Sequence, residues 1–238
     1  MPLIDSHIHI DFYDNPDSII QNIEKENLKA VFVTHLPELF EKYNGQLKLS
    51  DHLFLALGYH PILINQYPFD KNLFEKNLNH TRFIGEVGLD YAVAKSLNTR
   101  LKQRDVFGFI CKIATNHIFS IHARQAEEDV LRILTENKVK KAIFHWYSGD
   151  ENLIHPIIDA GYYFSLNPSM LKSTKGRNIL KKIPTNRILI ESDGPFVKYK
   201  GNIFFPNDLS SVYNDFSNYF NTNDLANVVY KNFLNILH

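Results

Sequence analysis

The sequence predicts an α/β fold, a (β/α)8 barrel of TIM type forming one domain over residues 1–238, and three observations carry that expectation. Short β-branched or aromatic runs alternate with longer stretches of helical spacing along the whole chain. There are eight such runs in 238 residues, which gives about 30 residues per unit, the size of a strand-plus-helix repeat. No Gly-rich phosphate fingerprint follows the first run, where an open dinucleotide-binding sheet would carry one. Strict alternation calls for a parallel sheet with helices outside it. Eight units suit closure into a barrel slightly shorter than the usual ~250 residues.

The strand candidates, in order, are residues 3–9, 30–34, 54–58, 82–87, 118–122, 142–145, 162–166 and 188–191. Most follow a polar or Gly/Pro break and have strand length. After the first strand, residues 17–27 put Ile19, Ile20 and Ile23 on one face behind Asp17, whose carboxylate offers an acceptor to the helix start. Residues 99–116 repeat the pattern with Leu101, Phe107, Ile110 and Ile113, and residues 126–136 with Val130, Leu131, Ile133 and Leu134. Residues 208–220 and 223–237 close the chain as two further helices, and no linker or low-complexity tract divides it.

Composition narrows the function classes. Hydrophobic residues make up 44% and aromatics 13%, enough for a packed core and too many for a disordered chain. Lys and Arg number 26 against 26 Asp and Glu. That balance excludes a broadly polybasic nucleic-acid binder, though not an enzyme that meets nucleic acid through one local patch. Cys111 is the single cysteine, so no internal disulfide is expected. The first residues carry no signal-peptide pattern and no apolar run of about 18 residues appears, so a cytoplasmic protein without a membrane partner is expected.

In such a barrel the chemistry sits where strands end at the C-terminal face. Strand one ends in Asp5-Ser6-His7-Ile8-His9, and alternation turns His7 and His9 the same way, as a chelating pair requires. With 11 histidines in the chain, chance supplies roughly half of one such pair, so this motif is weak by itself. Strand four ends in Gly85-Glu86-Val87-Gly88, strand five in His122-Ala123-Arg124, strand six in His145 and strand eight in Glu191-Ser192-Asp193-Gly194-Pro195. Each has a plain structural alternative: Glu86 as a helix cap, His122 as a satisfied core histidine, Asp193 as a turn residue before Pro195. All of those alternatives would have to hold together at one end of one barrel. Four histidines and two carboxylates suit one or two borderline divalent ions, with a carboxylate as natural bridge. Two ions can activate a shared water for in-line displacement. Asp193 is placed to take that water's proton.

At this point the chain resembles the TatD-type metal-dependent deoxyribonucleases of the amidohydrolase-like barrel superfamily. The likeness runs in order through Asp5-Ser6-His7-Ile8-His9, Gly58-Tyr59-His60-Pro61, Ile84-Gly85-Glu86-Val87-Gly88-Leu89-Asp90, Gln103 with Phe107, His122-Ala123-Arg124, His145-Trp146-Tyr147-Ser148-Gly149 and Glu191-Ser192-Asp193-Gly194-Pro195. Singly these motifs are weak; as an ordered set they are strong. The resemblance implies that His7, His9, Glu86 and Asp193 hold one metal and that Glu86 bridges to a second held by His122 and His145. It makes Asp193 and Glu86 the catalytic carboxylates, and His60 and Arg124 the substrate-phosphate contacts. The implied cofactors are two divalent ions (Mg, Mn or Zn). The implied reaction is hydrolysis of a DNA phosphodiester by metal-activated water, at single-stranded or frayed ends.

A narrower resemblance, carried by residues 164–171, 175–177 and 193–196, is to the QatD-like proteins of Qat anti-phage gene clusters. It implies a role in bacterial antiviral defence with other Qat proteins as partners, and Lys172, Lys175 and Arg177 as a phosphate patch or, equally in keeping, a solvated loop. Two loops depart from the general TatD pattern: Gly201-Asn202-Ile203-Phe204-Phe205-Pro206 and Tyr91-Ala92-Val93-Ala94-Lys95-Ser96. Phe12, Tyr91, Trp146, Tyr147 and Phe196 are candidates for stacking on bases, against the commoner role of core aromatics. Two other classes stay open from the residues alone. One is hydrolysis of an ester or amide such as an aminoacyl-tRNA, on the same barrel. The other is a non-catalytic subunit of a defence complex, which would have no need of six filled ligand positions.

Overall fold

In the computed structural model, which describes residues 1–47 and 51–238, the eight expected strands form one parallel sheet whose spatial order equals chain order. They are β1 (Ile4–Ile8), β2 (Lys29–Val33), β3 (Leu53–Leu57), β4 (Phe83–Asp90), β5 (Ile118–Arg124), β6 (Lys141–His145), β7 (Tyr163–Leu166) and β8 (Ile188–Ile190). β1 and β4 are buried along their whole length, as expected of strands covered on both faces. Beyond the end of β8 the sheet returns to β1: the Asp193 N–H donates to the His7 carbonyl at 2.9 Å and the His9 N–H to the Gly194 carbonyl at 2.9 Å. The Ser6 hydroxyl bonds the Ile190 carbonyl at 3.0 Å, and Asp5 accepts from the Ser192 N–H at 3.0 Å. These bonds close a (β/α)8 barrel.

The helices around it are α1 (Pro16–Lys25), α2 (Pro37–Gln46), α3 (Lys71–Leu78), α4 (Leu97–Ile113), α5 (Glu127–Glu136), α6 (Ile154–Asp159), α7 (Thr174–Lys182), α8 (Leu209–Phe220) and α9 (Leu225–Leu237). α1 starts one residue before its expected bound. Asn15, not Asp17, caps it by accepting from the Ser18 N–H at 3.0 Å, with Pro16 in the first turn. Asp17 sits inside that turn, where its charge favours the positive helix end. The helices α2, α3, α6 and α7 have no counterpart in the expected set. They are 6–10 residues long and bury two or three side chains each, for example Ile179 and Leu180 in the lysine-rich α7, which leaves little apolar period to read. Past β8, two short strands, β9 (Lys198–Tyr199) and β10 (Asn202–Ile203), pair as a hairpin whose second strand lies in one of the atypical loops. Phe32, Phe83, Phe119, Phe144 and Phe164 are fully or almost fully buried in the core.

β4 runs three residues past its expected end because Gly88 is a point of close approach, not a strand break. A Cβ on Gly88, whose φ is +143°, would lie 2.0 Å from the His122 carbonyl oxygen. A Cβ on Gly58, just after β3, would lie 1.7 Å from the Thr34 carbonyl oxygen and 2.7 Å from the Glu86 nitrogen. Between Ile84 and Val87 the register with β5 shifts. Glu86 is held there by its N–H to the Thr34 carbonyl (3.0 Å) and its own carbonyl from the Tyr59 N–H (3.1 Å). The irregularity aims the Glu86 side chain into the barrel mouth. Gly58→Ala is therefore expected to cost about 2–3 kcal/mol by overpacking. In a chain of this size that lowers Tm by roughly 5–10 °C, read by thermal unfolding, and an unchanged Tm would contradict the close-packing account.

Candidate metal centre

His9, Glu86, His122, His145 and Asp193 line one cavity of about 570 Å³ at the C-terminal mouth of the barrel, with the fully buried His7 beneath them. Glu86 stands at the centre, and its two oxygens face different partners. Oε2 lies 3.4 Å from His7 Nε2 and 3.3 Å from His9 Nε2. Oε1 lies 2.7 Å from His122 Nδ1, 3.1 Å from His145 Nε2 and 3.1 Å from His60 Nε2. Asp193 Oδ1 completes the first side at 3.3 Å from His9 Nε2 and 3.8 Å from His7 Nε2. Asp193 holds this position in the left-handed region, φ +52°, one of the few non-Gly types that adopt it readily.

Neighbouring groups fix the rings. His7 Nδ1 is 2.7 Å from the Ser120 hydroxyl, which leaves its Nε2 for the centre. His122 Nε2 is 2.9 Å from Asp90 Oδ2 and His145 Nδ1 is 3.5 Å from Glu191 Oε1. Glu191 is itself tied to the Ser165 hydroxyl. His60 differs from the others. Its Nδ1 accepts from the Ile62 N–H at 3.2 Å, so a neutral ring carries its proton on Nε2 and faces Glu86 as a donor. That argues against a third cation among His35, His60 and Glu86, although their atoms also lie close enough for one.

Burial by itself would drive these groups neutral, and their mutual charges decide the outcome. Burial works against a charged His9, but Asp193 and Glu86 outweigh it and hold its pKa at about 9. Burial likewise opposes charge on His145, and Glu86 and Glu191 raise it well above the ordinary value. Burial would push Glu86 up, yet the imidazoles around it hold its carboxyl well below the usual range. His7 is lowered by burial and then by His145. Protons on the imidazoles thus balance the central carboxylates wherever cations do not.

The donor set fits divalent metal. Nε2 of His7 and His9 stand 3.1 Å apart, so without a shared proton or cation their lone pairs oppose each other. Nδ1 of His9 is buried without a hydrogen-bond partner among the described residues. Mixed imidazole and carboxylate ligands with a carboxylate between two half-sites suit Zn or Mn, and Mg with added water. Three-residue groups of ligand geometry include His7–His9–Glu86, His7–His145–Asp193 and Glu86–His122–His145. Cation binding at neutral pH is expected to expel protons, at least one from His9. Calorimetry in two buffers of different ionisation enthalpy reads that number, and a heat independent of buffer would contradict it.

Of the substrate-contact candidates, His60 and Arg124 both line the cavity, His60 buried and Arg124 exposed. Phe12, Trp146 and Phe196 are at the mouth, with Trp146 and Phe196 lining the cavity. Tyr91 and Tyr147 are not available for stacking. Tyr91 is buried and hydrogen-bonds Asp129 at 2.6 Å and the Arg104 guanidinium at 2.7 Å. Tyr147 is buried and bonds the Asp150 carbonyl at 2.6 Å. Arg177 donates to the Leu171 carbonyl at 2.8 Å, clamping its own turn, while Lys172 and Lys175 are exposed. The sequence motifs contain Asp90 and Glu191 without assigning them a role, and leave out Ser120 and His35, the latter buried against His9 and His60. His35 directly follows a strand candidate, the same signal that marked His145.

Comparison with known proteins agrees with this geometry. Residues 4–238 match the family model described as TatD related DNase. An uncharacterized metal-dependent hydrolase of Buchnera aphidicola is 30% identical over 236 residues, covering 84% of this chain and 85% of that protein. The human deoxyribonuclease TATDN3 is 25% identical over 219 residues, covering 81% and 78%. The crystal structure of the TatD homolog YjjV from Escherichia coli superposes with a TM-score of 0.83 at 18% identity, covering 97% of this chain and 95% of that one. No helix among the described residues is long and apolar enough to cross a membrane. The chain belongs to the TatD family of metal-dependent hydrolases with nuclease-type chemistry.

Proposed function

We propose that this protein hydrolyses DNA phosphodiester bonds on two divalent cations, Mg, Mn or Zn, at single-stranded or frayed ends. The observation that carries the reading is the division of the Glu86 oxygens, one toward His7 and His9 and the other toward His122 and His145. In it His7, His9, Glu86 and Asp193 hold one cation, and Glu86, His122 and His145 the other. Cations there lower the pKa of water and offset the charge of a phosphodiester. Asp193 takes the proton of the attacking water through a carboxylate that burial would raise but His9 keeps ionised at neutral pH. His60 Nε2–H, freed from Glu86, donates to a phosphate oxygen. The Arg124 guanidinium, exposed on the cavity wall, supplies a two-pronged donor for the same group.

The human relative's description as a deoxyribonuclease supports DNA as substrate. An anti-phage setting alongside other Qat proteins is supported by the sequences of residues 164–171, 175–177 and 193–196. We take residues 1–238 as one working domain. The test is cleavage of end-labelled single- and double-stranded DNA with Mn²⁺ or Mg²⁺ and with EDTA, beside an aminoacyl ester. Metal-dependent cleavage of DNA supports the proposal. Turnover of the ester with intact DNA would reassign the same centre to ester hydrolysis.

A further inference from the structure

Next to the metal centre the cavity changes character. Phe12, in the single turn Ile10–Phe12 that follows β1, and Phe196, in the loop after β8, come together although 184 positions separate them in the chain. Their ring centroids are 4.9 Å apart, and the side chains are 48% and 54% exposed. Both rest edge-on against groups of the centre's rim: Phe196 at 5.0 Å and Phe12 at 6.0 Å from the His9 ring, and Phe12 at 4.8 Å from the His35 ring. His35 makes no ring hydrogen bond, its Nδ1 is buried without a partner, and it lies against His9 at 4.6 Å and His60 at 5.0 Å. It is a buried floor under the aromatic pair.

Two half-exposed phenyl rings at the lip of an ionic cavity leave apolar surface in water, and such surface marks a place where something lands. With the two rings 6.0 and 5.0 Å from the His9 ring, a group landing on them would lie beside a phosphate bound at the centre. Every nucleobase offers a π face, and aromatic side chains stack on it with little regard to sequence. A base paired within a duplex has both faces already covered, whereas an unpaired or frayed base has one free. We propose that Phe12 and Phe196, seated on His9 and His35, form a stacking platform for the unpaired nucleobase next to the scissile phosphate. The inference rests on the DNA reading above and deepens it: the platform selects single-stranded and frayed ends.

The test uses single-stranded oligonucleotides carrying 2-aminopurine on one side or the other of the cleavage point, bound to the full chain in an Asp193→Asn background slowed at least ~100-fold. Stacking quenches the fluorescence at one of the two positions, and Phe196→Ala restores it. In the Asp193 form, Phe196→Ala raises KM for single-stranded DNA roughly tenfold with kcat within about twofold. Phe12→Leu, which keeps the apolar cover and removes the ring, acts in the same direction, and Phe196→Tyr behaves as wild type. DNA that binds with both 2-aminopurine signals unchanged, or Phe variants that lower kcat at constant KM, would overturn the platform and leave the two rings as a cover over His9. Failure of the wild type to bind DNA at all would overturn the DNA reading itself, and the platform with it.

Discussion

Asp193→Asn is expected to bind metal at close to the wild-type amount and to lose at least ~100-fold in kcat. The main chain at Asp193 is fixed by its N–H bond to the His7 carbonyl and by a left-handed φ that asparagine tolerates as well as aspartate does. The amide keeps an oxygen for the cation side of His7 and His9 and loses the ability to take a proton. Metal content by plasma mass spectrometry, with single-turnover cleavage on the same sample, separates the two roles. A parallel loss of metal would make Asp193 chiefly a ligand, and full activity would remove it from the proton transfer.

Glu86→Gln is expected to act earlier, on the centre's existence. One buried carboxylate faces five imidazoles within 3.4 Å. Removing its charge leaves cations or protonated rings unpaired, a loss on the scale of a broken buried ion pair, about 3–5 kcal/mol. In metal affinity that corresponds to roughly 10²–10⁴-fold, measured by competition with a chelating dye. The metal-free proteins differ in their pH profiles as well. The depressed pKa of Glu86 adds stability that is present above its ordinary 4.5 and lost as pH falls through its folded value. The raised pKa of His9 adds stability present below its ordinary 6.5 and lost as pH rises through about 9. Urea unfolding of metal-free wild type should thus show both contributions between about pH 5 and 6. Glu86→Gln should lower stability most in that window, and equal losses at about pH 5.5 and about pH 10 would contradict the charge account.

Much of this was legible in the sequence because barrel geometry converts strand ends into neighbours. The His7/His9 alternation, Glu86, His122, His145 and Asp193 each end or follow a strand candidate, and the four histidines meet around Glu86 with Asp193 beside His7 and His9. What escaped notice depends on contacts between distant segments. Asp90 and Glu191 matter through the imidazoles they face, and nothing in their local sequence tells a ring-orienting carboxylate from a turn residue. Gly88 reads as the end of a strand because glycine in a short run ordinarily is one, while here β4 continues through it. Tyr91 and Tyr147 border the mouth in sequence but turn inward, each drawn by a hydrogen-bond partner, Asp129 in one case and the Asp150 carbonyl in the other. The short helices α2, α3, α6 and α7 bury too few residues to print a period.

The central claim is that the residues around Glu86 form a two-cation centre on which DNA is cut. Its most direct test is a metal titration of chelated protein, wild type and His7→Ala, with bound equivalents and single-stranded DNA cleavage recorded at every step. The account predicts two equivalents in the wild type, cleavage that rises with their occupancy, and at least one equivalent together with nearly all cleavage lost in His7→Ala. Cleavage without bound metal, or a His7→Ala protein that binds and cuts as the wild type does, would contradict it.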